Sequence, residues 1–514
     1  MRYRFTNKTF FYLLLFLITA SACKKEKKVA VTNPSPDFSF AFSSEKNIGK
    51  LNEYVACNVD NGTISALLPS LQDDRTALAA TFTLPTGATL TANGVLQTSG
   101  VTVNDYSKPI NYTLTKADGS VKTYTANVLK YSGMPIFYLT TSAPVVSEDV
   151  YVTGNLVVDA NSQFEQAVTS IDLQIKGRGN STWGMPKKPY RLKFNSKTPL
   201  AGFTTSKNWV LLANYSDKTL MRNALAFEMS KQFNADFSYK GRFVDLVMNG
   251  EYEGNYYLTQ QVEVDTNRVN ITPMKTSDIS GAAITGGYLL ELDQRLDADY
   301  YFYTPQGLPM TINTPSAITP EQLAYITSYV DSTEAAIFSP TFADPNVGYA
   351  KYINVDSFIA WYLVKELVKD NDGKDFSSIY YYKDRNGKLG MGPLWDFDLA
   401  IGNTDYSDCK NPTGWWIRNS VWFGRLFQDP AFALKVKNQW NALKAQKIPA
   451  LFTFMDQTAS YINQSQKYNF NRWDILGIYV WPNPVVTGSY TGEVNYTKDW
   501  LQKRITWMDQ QFNP

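Results

Sequence analysis

The chain has 514 residues, 44% of them hydrophobic, and a formal net charge of +2; setting Arg2, Arg4 and Lys8 aside leaves 46 basic against 47 acidic residues, or −1. That length and composition suffice for two or more domains, and so even a balance gives no electrostatic reason to expect nucleic acid or an anionic membrane surface as partner. Histidine is absent, which removes Ser-His-Asp and Cys-His catalysis, histidine general bases and histidine-ligated zinc or iron; any metal is expected to be a hard cation held by oxygen.

The first element is a targeting segment. Arg2, Arg4 and Lys8 precede an apolar run, Phe10 to Ile18, and the small residues Ala20, Ser21 and Ala22 lead into Cys23. The run is too short for a membrane-spanning helix of about 20 residues and has the layout of a cleaved secretory signal over 1–22. Small residues ending on a cysteine resemble the lipobox of bacterial lipoproteins, with Ala20 where Leu is commoner; the resemblance implies acylation of Cys23 and a tether to a membrane outside the cytoplasm, in the cell envelope. Residues 23–36, charged and then rich in Thr, Asn, Ser and Pro, read as a linker. Cys57 and Cys409, the other two cysteines, fall in different domains and are expected to be buried thiols rather than a disulfide.

From 37 to 131 short strands alternate with turns. Phe38, Phe40 and Phe42 alternate with smaller residues, while Asn61-Gly62, Asn93-Gly94 and Asp118-Gly119 mark tight turns. This spacing predicts a small β-sandwich, and it resembles the immunoglobulin-like modules of exported proteins. No cluster of catalytic residue types lies in it.

From 135 to 514 a β-rich front gives way to a helical back, so the fold class is multidomain: a small all-β sandwich followed by an α+β domain of two lobes with a helical C-terminal part. Strands are predicted at 171–175, 190–194, 244–248, 256–260 and 287–292, with a turn at Asn249-Gly250. Helices are predicted at 218–233, 355–369, 431–445 and 451–463.

Four segments of this region carry chemistry. Lys176-Gly-Arg-Gly-Asn-Ser-Thr-Trp183 places a Gly-x-Gly turn after a strand, where amide N–H groups can approach phosphate oxygens, although a plain turn accounts for it equally well. In Lys187 to Phe194, Tyr190, Leu192 and Phe194 share one strand face and Arg191 and Lys193 the other; that pair suits a polyphosphate or simply a solvated outer face. A helix ends in Asp370-Asn371-Asp372-Gly373, which could be no more than a polar turn. In Trp395-Asp396-Phe397-Asp398 two carboxylates project together if the segment is extended. Placed among large apolar residues they call for an offsetting cation, so Asp396 and Asp398 are the candidate metal ligands.

In order, and together with Asn208 to Asn223 and Tyr252 to Leu258, these segments closely resemble the CotH kinase family over roughly 171–403. The resemblance implies an atypical protein-kinase-like fold, ATP and Mg²⁺ as cofactors, and transfer of phosphate to a protein hydroxyl. It further implies Asp372 as the catalytic acceptor of the hydroxyl proton and Asp396, with Asp398 beside it, as the metal-holding acid. Lys193 with Arg191 would stand at the phosphates, Glu228 would be the ion-pair partner of Lys193, and Gly177, Arg178 and Gly179 would form the loop over the nucleotide. The chain departs from ordinary kinases in having no His-Arg-Asp triplet, Trp-Asp-Phe-Asp in place of Asp-Phe-Gly, and an abbreviated glycine loop.

The leading function is thus a lipid-anchored phosphotransferase whose partners are a nucleotide and a protein acceptor. The alternative is a non-catalytic cell-surface protein binding glycan or wall material, with Trp415, Trp416 and Trp422 among 74 aromatic residues available to stack on sugars. Metal-dependent hydrolysis at the acidic segments is a third reading.

Overall fold

The computed structural model describes residues 38–514. The signal segment, Cys23 and the linker up to Asp37 lie outside the described residues. Within them, no helix is long and apolar enough to cross a membrane.

The N-terminal module is built as its turns predict. Asn61-Gly62 and Asn93-Gly94 have positive φ at both residues, the left-handed pair that two-residue hairpins need. They join Asn58–Asp60 to Thr63–Leu68 and Thr89–Ala92 to Val95–Leu96. With Ile110–Thr115 and Val121–Lys130 these strands form a six-stranded sheet in which Thr63–Leu68 runs parallel to Val121–Lys130. A three-stranded sheet centred on Ser39–Phe42 packs against it. Phe38 meets Tyr124, Phe40 meets Tyr112 and Phe42 meets Tyr106 edge-on in the shared core. Burying each such ring contributes about 1.5–3 kcal/mol.

The larger region has two sheets of its own. Seven strands close into a barrel in the order Ile136–Thr141, Val152–Asp159, Ser170–Gly177, Tyr190–Thr198, Ser206–Leu212, Glu251–Gln260 and Gly241–Met248. A parallel pairing of Ile136–Thr141 with Gly241–Met248 seals it. The predicted alternation holds: Tyr190, Leu192 and Phe194 are buried inside, while Arg191 and Lys193 face out. The expected hairpin turns at Asn249-Gly250, both at positive φ. The second sheet is antiparallel, in the order Tyr301–Tyr303, Pro309–Thr314, Tyr288–Leu292, Ile379–Lys383 and Leu389–Met391.

Helices α1 (Arg222–Gln232), α2 (Pro320–Phe338) and α3 (Val355–Val368) share one large core with that sheet. Helix α2 is not among the predicted elements, although Thr319 and Gln322 form a full capping box at its start, a signal readable as Thr-x-x-Gln. Helix α3 starts at the Asn354 cap and ends where Lys369 takes a left-handed conformation. Beyond it come α4 (Val421–Leu426), α5 (Pro430–Gln446), α6 (Ile448–Tyr461), α7 (Asn463–Arg472) and α8 (Tyr490–Phe512), the helical C-terminal part.

Buried charges fix these helices to the rest. Arg504 of α8 and Glu366 of α3, both without solvent exposure, form an ion pair, and Arg504 also donates to the carbonyls of Glu366, Pro412 and Gly414. Arg222, paired with Asp217, donates to the Ala400 carbonyl and to Thr497 of α8. Lys187 Nζ donates to Asn469 Oδ1 at 2.8 Å, docking α7 on the barrel. Burial pulls that ammonium down to about 7. Cys57 and Cys409 are free thiols, each raised to about 12 by burial.

Candidate functional site

A cleft of about 850 Å³ opens between the barrel and the five-stranded sheet. The barrel side supplies Arg178, Gly179 and Arg191; the sheet side supplies Glu291, Asp293 and Arg295; Asp372, Asp396 and Asp398 close the far wall. Nine carboxylates against three arginines line it. So acidic a wall favours cations, and an anionic ligand would need a cation with it.

The barrel wall ends in the Gly-x-Gly turn. A Cβ on Gly177 would fall 2.5 Å from the Trp183 ring, and one on Gly179, which has φ +90°, would fall 2.2 Å from Thr182 Oγ1. Both positions therefore require glycine. Gly179→Ala is expected to lower stability by about 1–2 kcal/mol. In contrast, Gly477→Ala, with open space around its Cβ and no positive φ, should change the urea midpoint little. Arg178 stacks over the Trp395 ring at 5.8 Å. The buried Nε of Arg191 has no partner, so this guanidinium retains a free donor within a residue that lines the cleft.

The acidic wall is assembled from the two segments that the sequence singles out. After α3 the chain turns at Lys369, and Asp370 is buried against Lys365, Oδ2 to Nζ 2.7 Å. Lys365 Nζ also donates to the Trp395 carbonyl at 2.8 Å, so one ammonium holds both acidic segments together. Burial raises Asp370 to about 6, opposed by Lys365, and its Oδ1 lacks a partner. Asp372 Oδ1 accepts from Asn371 Nδ2 at 2.8 Å, and Arg295 Nη2 stands 3.7 Å from Oδ2. Burial, aided by the charge of Asp396, lifts the Asp372 carboxyl above its usual range despite those donors.

The second segment is not extended, which corrects the geometry assumed for the acid pair. Asp396 has φ +63°, because the buried Phe397 turns inward and its N–H donates to Asn223 Oδ1 at 3.0 Å. This bond also gives the Asn208–Asn223 motif its place. The two carboxylates nonetheless both reach the cleft. Ser378 Oγ donates to Asp396 Oδ2 at 3.2 Å. Asp398 is pushed far up by burial and then by Asp396, Asp372 and Asp370. Among the described residues no group of three or more acids or cysteines is arranged to hold a metal alone. Mg²⁺ needs no such cage, since it takes one or two carboxylates and completes its shell with water and phosphate oxygens. The hard oxygen donors of Asp396 and Asp398 fit that requirement.

Two residues expected here stand elsewhere. Lys193 is exposed, with its ammonium 5.6 Å from the Tyr151 ring, and Arg191 but not Lys193 lines the cleft. Glu228 bonds to Lys231 and Gln232 on its own helix and lines a separate groove with Lys240 and Arg242. Of the tryptophans considered for sugar stacking, Trp422 is buried with its Nε1 on Glu334, Trp415 packs on Trp507 and Phe512, and Trp416 donates to the Asn371 carbonyl.

The cleft also holds residues that sequence reasoning passed over. Glu291 accepts from Asn313 Nδ2 at 3.0 Å and from the Ser378 amide at 3.2 Å, and burial raises it to about 7. Arg295 joins Asp293, Ser377 and Asp372. Glu291-Leu-Asp293-Gln-Arg295 carries alternating charge on a strand and the turn after it, which is the one signal that could have marked it.

The CotH kinase protein family model matches residues 175–508, and the chain is a member of that family. A second family model, SGBP N-terminal, matches residues 44–128, the β-rich module. No curated protein matches. A solved structure of a Bacteroides fragilis protein is similar at 17% identity, covering 19% of this chain and 93% of that one, with a TM-score of 0.14.

Proposed function

We propose that the cleft of this CotH family member transfers phosphate from Mg-ATP to a hydroxyl, in an atypical protein-kinase-like domain. One observation carries the reading: Asp372, Asp396 and Asp398 share a cleft with Arg178, Gly179 and Arg191, from segments some 200 residues apart in sequence. Arg178 and Arg191 would meet the phosphates, and Asp396 with Asp398 would hold Mg²⁺. The metal would neutralise charge developing on the phosphoryl group. Asp372 would take the proton of the acceptor hydroxyl; its raised affinity for protons suits that task. Lys365 would keep the two acidic segments in register.

Phosphoryl transfer needs positioning and cations more than acid–base groups, so it operates without histidine. ATP with Mg²⁺ at about 100 times its dissociation constant is expected to stabilise the protein by about 2.7 kcal/mol, read as a rise in melting temperature. A melting temperature indifferent to every nucleotide and divalent ion would remove the proposal.

The anchor is part of the same proposal. Cys23 acylation would hold the domain on an envelope membrane. Wild type is expected to incorporate a fatty-acid probe and Cys23→Ala to incorporate none; equal labelling would end that assignment. A non-catalytic binding role, the second reading, draws on the N-terminal match to the SGBP family.

A further inference from the structure

Beyond Asp372, outside the lining of the cleft, three aromatic side chains stand in the open. Tyr406, Tyr479 and Trp481 are 53%, 55% and 43% exposed. The Tyr406 and Trp481 rings lie parallel, 8° apart in plane with centroids separated by 5.7 Å. Large aromatics usually bury such area, and here the surrounding chain is fastened so as to keep it out. Lys218 Nζ donates to the Ile478 carbonyl at 2.6 Å. On the other side, Asn483 Nδ2 donates to the Ser216 carbonyl at 2.7 Å and to Asn403 Oδ1 at 2.9 Å. Tyr479 and Trp481 thus sit on a loop clamped at both ends, and Tyr406 meets them from a second loop.

Their polar edges point to the chemistry of the occupant. Tyr479 OH donates to Asp405 Oδ2 at 2.6 Å. Asn371 Nδ2 donates both to Tyr406 OH, at 3.2 Å, and to Asp372 Oδ1, at 2.8 Å. One amide nitrogen therefore joins the aromatic platform to the carboxylate assigned the acceptor proton.

We propose that this platform binds the acceptor, and that the acceptor is a glycan whose sugar ring stacks on the outer face of the Tyr406–Trp481 pair. This rests on the phosphotransfer reading of the cleft and names its substrate class. A pyranose has apolar C–H faces and hydroxyl edges. It matches flat aromatic faces bordered by a carboxylate and an amide. A protein partner matches less well: stable protein interfaces bury about 1,200 Å² or more around a well-packed central cluster of anchors, whereas this platform offers three half-exposed rings. A sugar held there would bring a hydroxyl to Asp372. In the transfer, its proton passes to the Asp372 carboxylate, its oxygen bonds to the γ-phosphorus, and the bond from that phosphorus to the departing ADP breaks. The product is a sugar phosphate ester.

The test uses the purified full-length protein, titrated calorimetrically with cellohexaose, maltohexaose and chitohexaose in the absence of nucleotide, so that it does not depend on catalysis. Saturable binding of at least one is expected, weakened at least tenfold in Trp481→Ala and in Tyr406→Ala. The melting temperature, and its response to ATP with Mg²⁺, should stay as in wild type. Absence of binding by all three at millimolar concentration, or binding that both variants retain, overturns the proposal. So does loss of transfer to a basic protein such as histone, but not of sugar binding, in those variants. Sugar binding without any nucleotide response would leave the platform standing and remove the phosphotransfer reading, so the two failures are told apart.

Discussion

Asp372→Asn is expected to leave nucleotide bound while phosphoryl transfer slows about 10²-fold or more, the scale on which a lost general base is felt. The substitution keeps size and polarity. It also keeps an oxygen for the Asn371 amide, which now donates to Oδ1. What disappears is the capacity to take a proton. Wild-type Asp372 lies against Asp396 and is raised by burial first and by that neighbour's charge, so removing its charge relieves repulsion in the cleft. Nucleotide affinity is therefore expected to hold or rise slightly. Radiolabel transfer measured beside a nucleotide titration separates the two quantities. Full transfer activity in the variant would take Asp372 out of the mechanism.

Asp396→Asn should fail in the opposite way. A neutral amide replaces a hard anionic oxygen donor, and the cation is the element that reconciles phosphate with a wall of nine carboxylates. Mg²⁺-dependent nucleotide affinity is expected to fall by an order of magnitude or more, with transfer falling alongside it. Ser378 Oγ retains an oxygen to bond to, so the loop should stay folded, and an unchanged melting temperature without ligand would show that it has. Metal-dependent binding equal to wild type would end the assignment of Asp396. Asp398, raised by the same cluster, is the residue to substitute next.

Local chemistry made much of this molecule legible. Asn-Gly pairs mark the hairpins at 61–62, 93–94 and 249–250 because few other residues tolerate positive φ twice in succession. Arg191 and Lys193 are correctly placed on the outer strand face, since alternation is a property of the strand itself. Whether an outward residue reaches the cleft is not. Lys193 stands over the Tyr151 ring while Arg191 lines the cleft, and no local pattern encodes that difference. Glu228 shows the same limit on a helix: its neighbours Lys231 and Gln232 satisfy it, and only tertiary packing decides which groove the helix face meets. Phe397 decided the geometry at Asp396 by seeking the core, so an extended acid pair became a left-handed turn. Glu291 and Arg295 were missed because a charged strand next to a turn looks the same whether it faces water or a cleft. The tryptophans nearest the site went into packing, and the exposed rings came from two loops of no distinctive composition.

The pairing of Arg504 with Glu366 has a consequence for how the molecule comes into being. Glu366 lies one turn before the Asp370–Asp372 bend, and its carboxylate is shielded from water with Arg504 as its cationic partner. Until the last helix has been made, that negative charge has no such partner. The bend carrying Asp372 cannot then settle at its final depth, since an unpaired buried charge costs several kcal/mol. Synthesis from the N-terminus thus produces the barrel and its glycine turn well before the acidic wall becomes competent. A chain lacking α8 would leave Glu366 without its cation and the bend carrying Asp372 without that support.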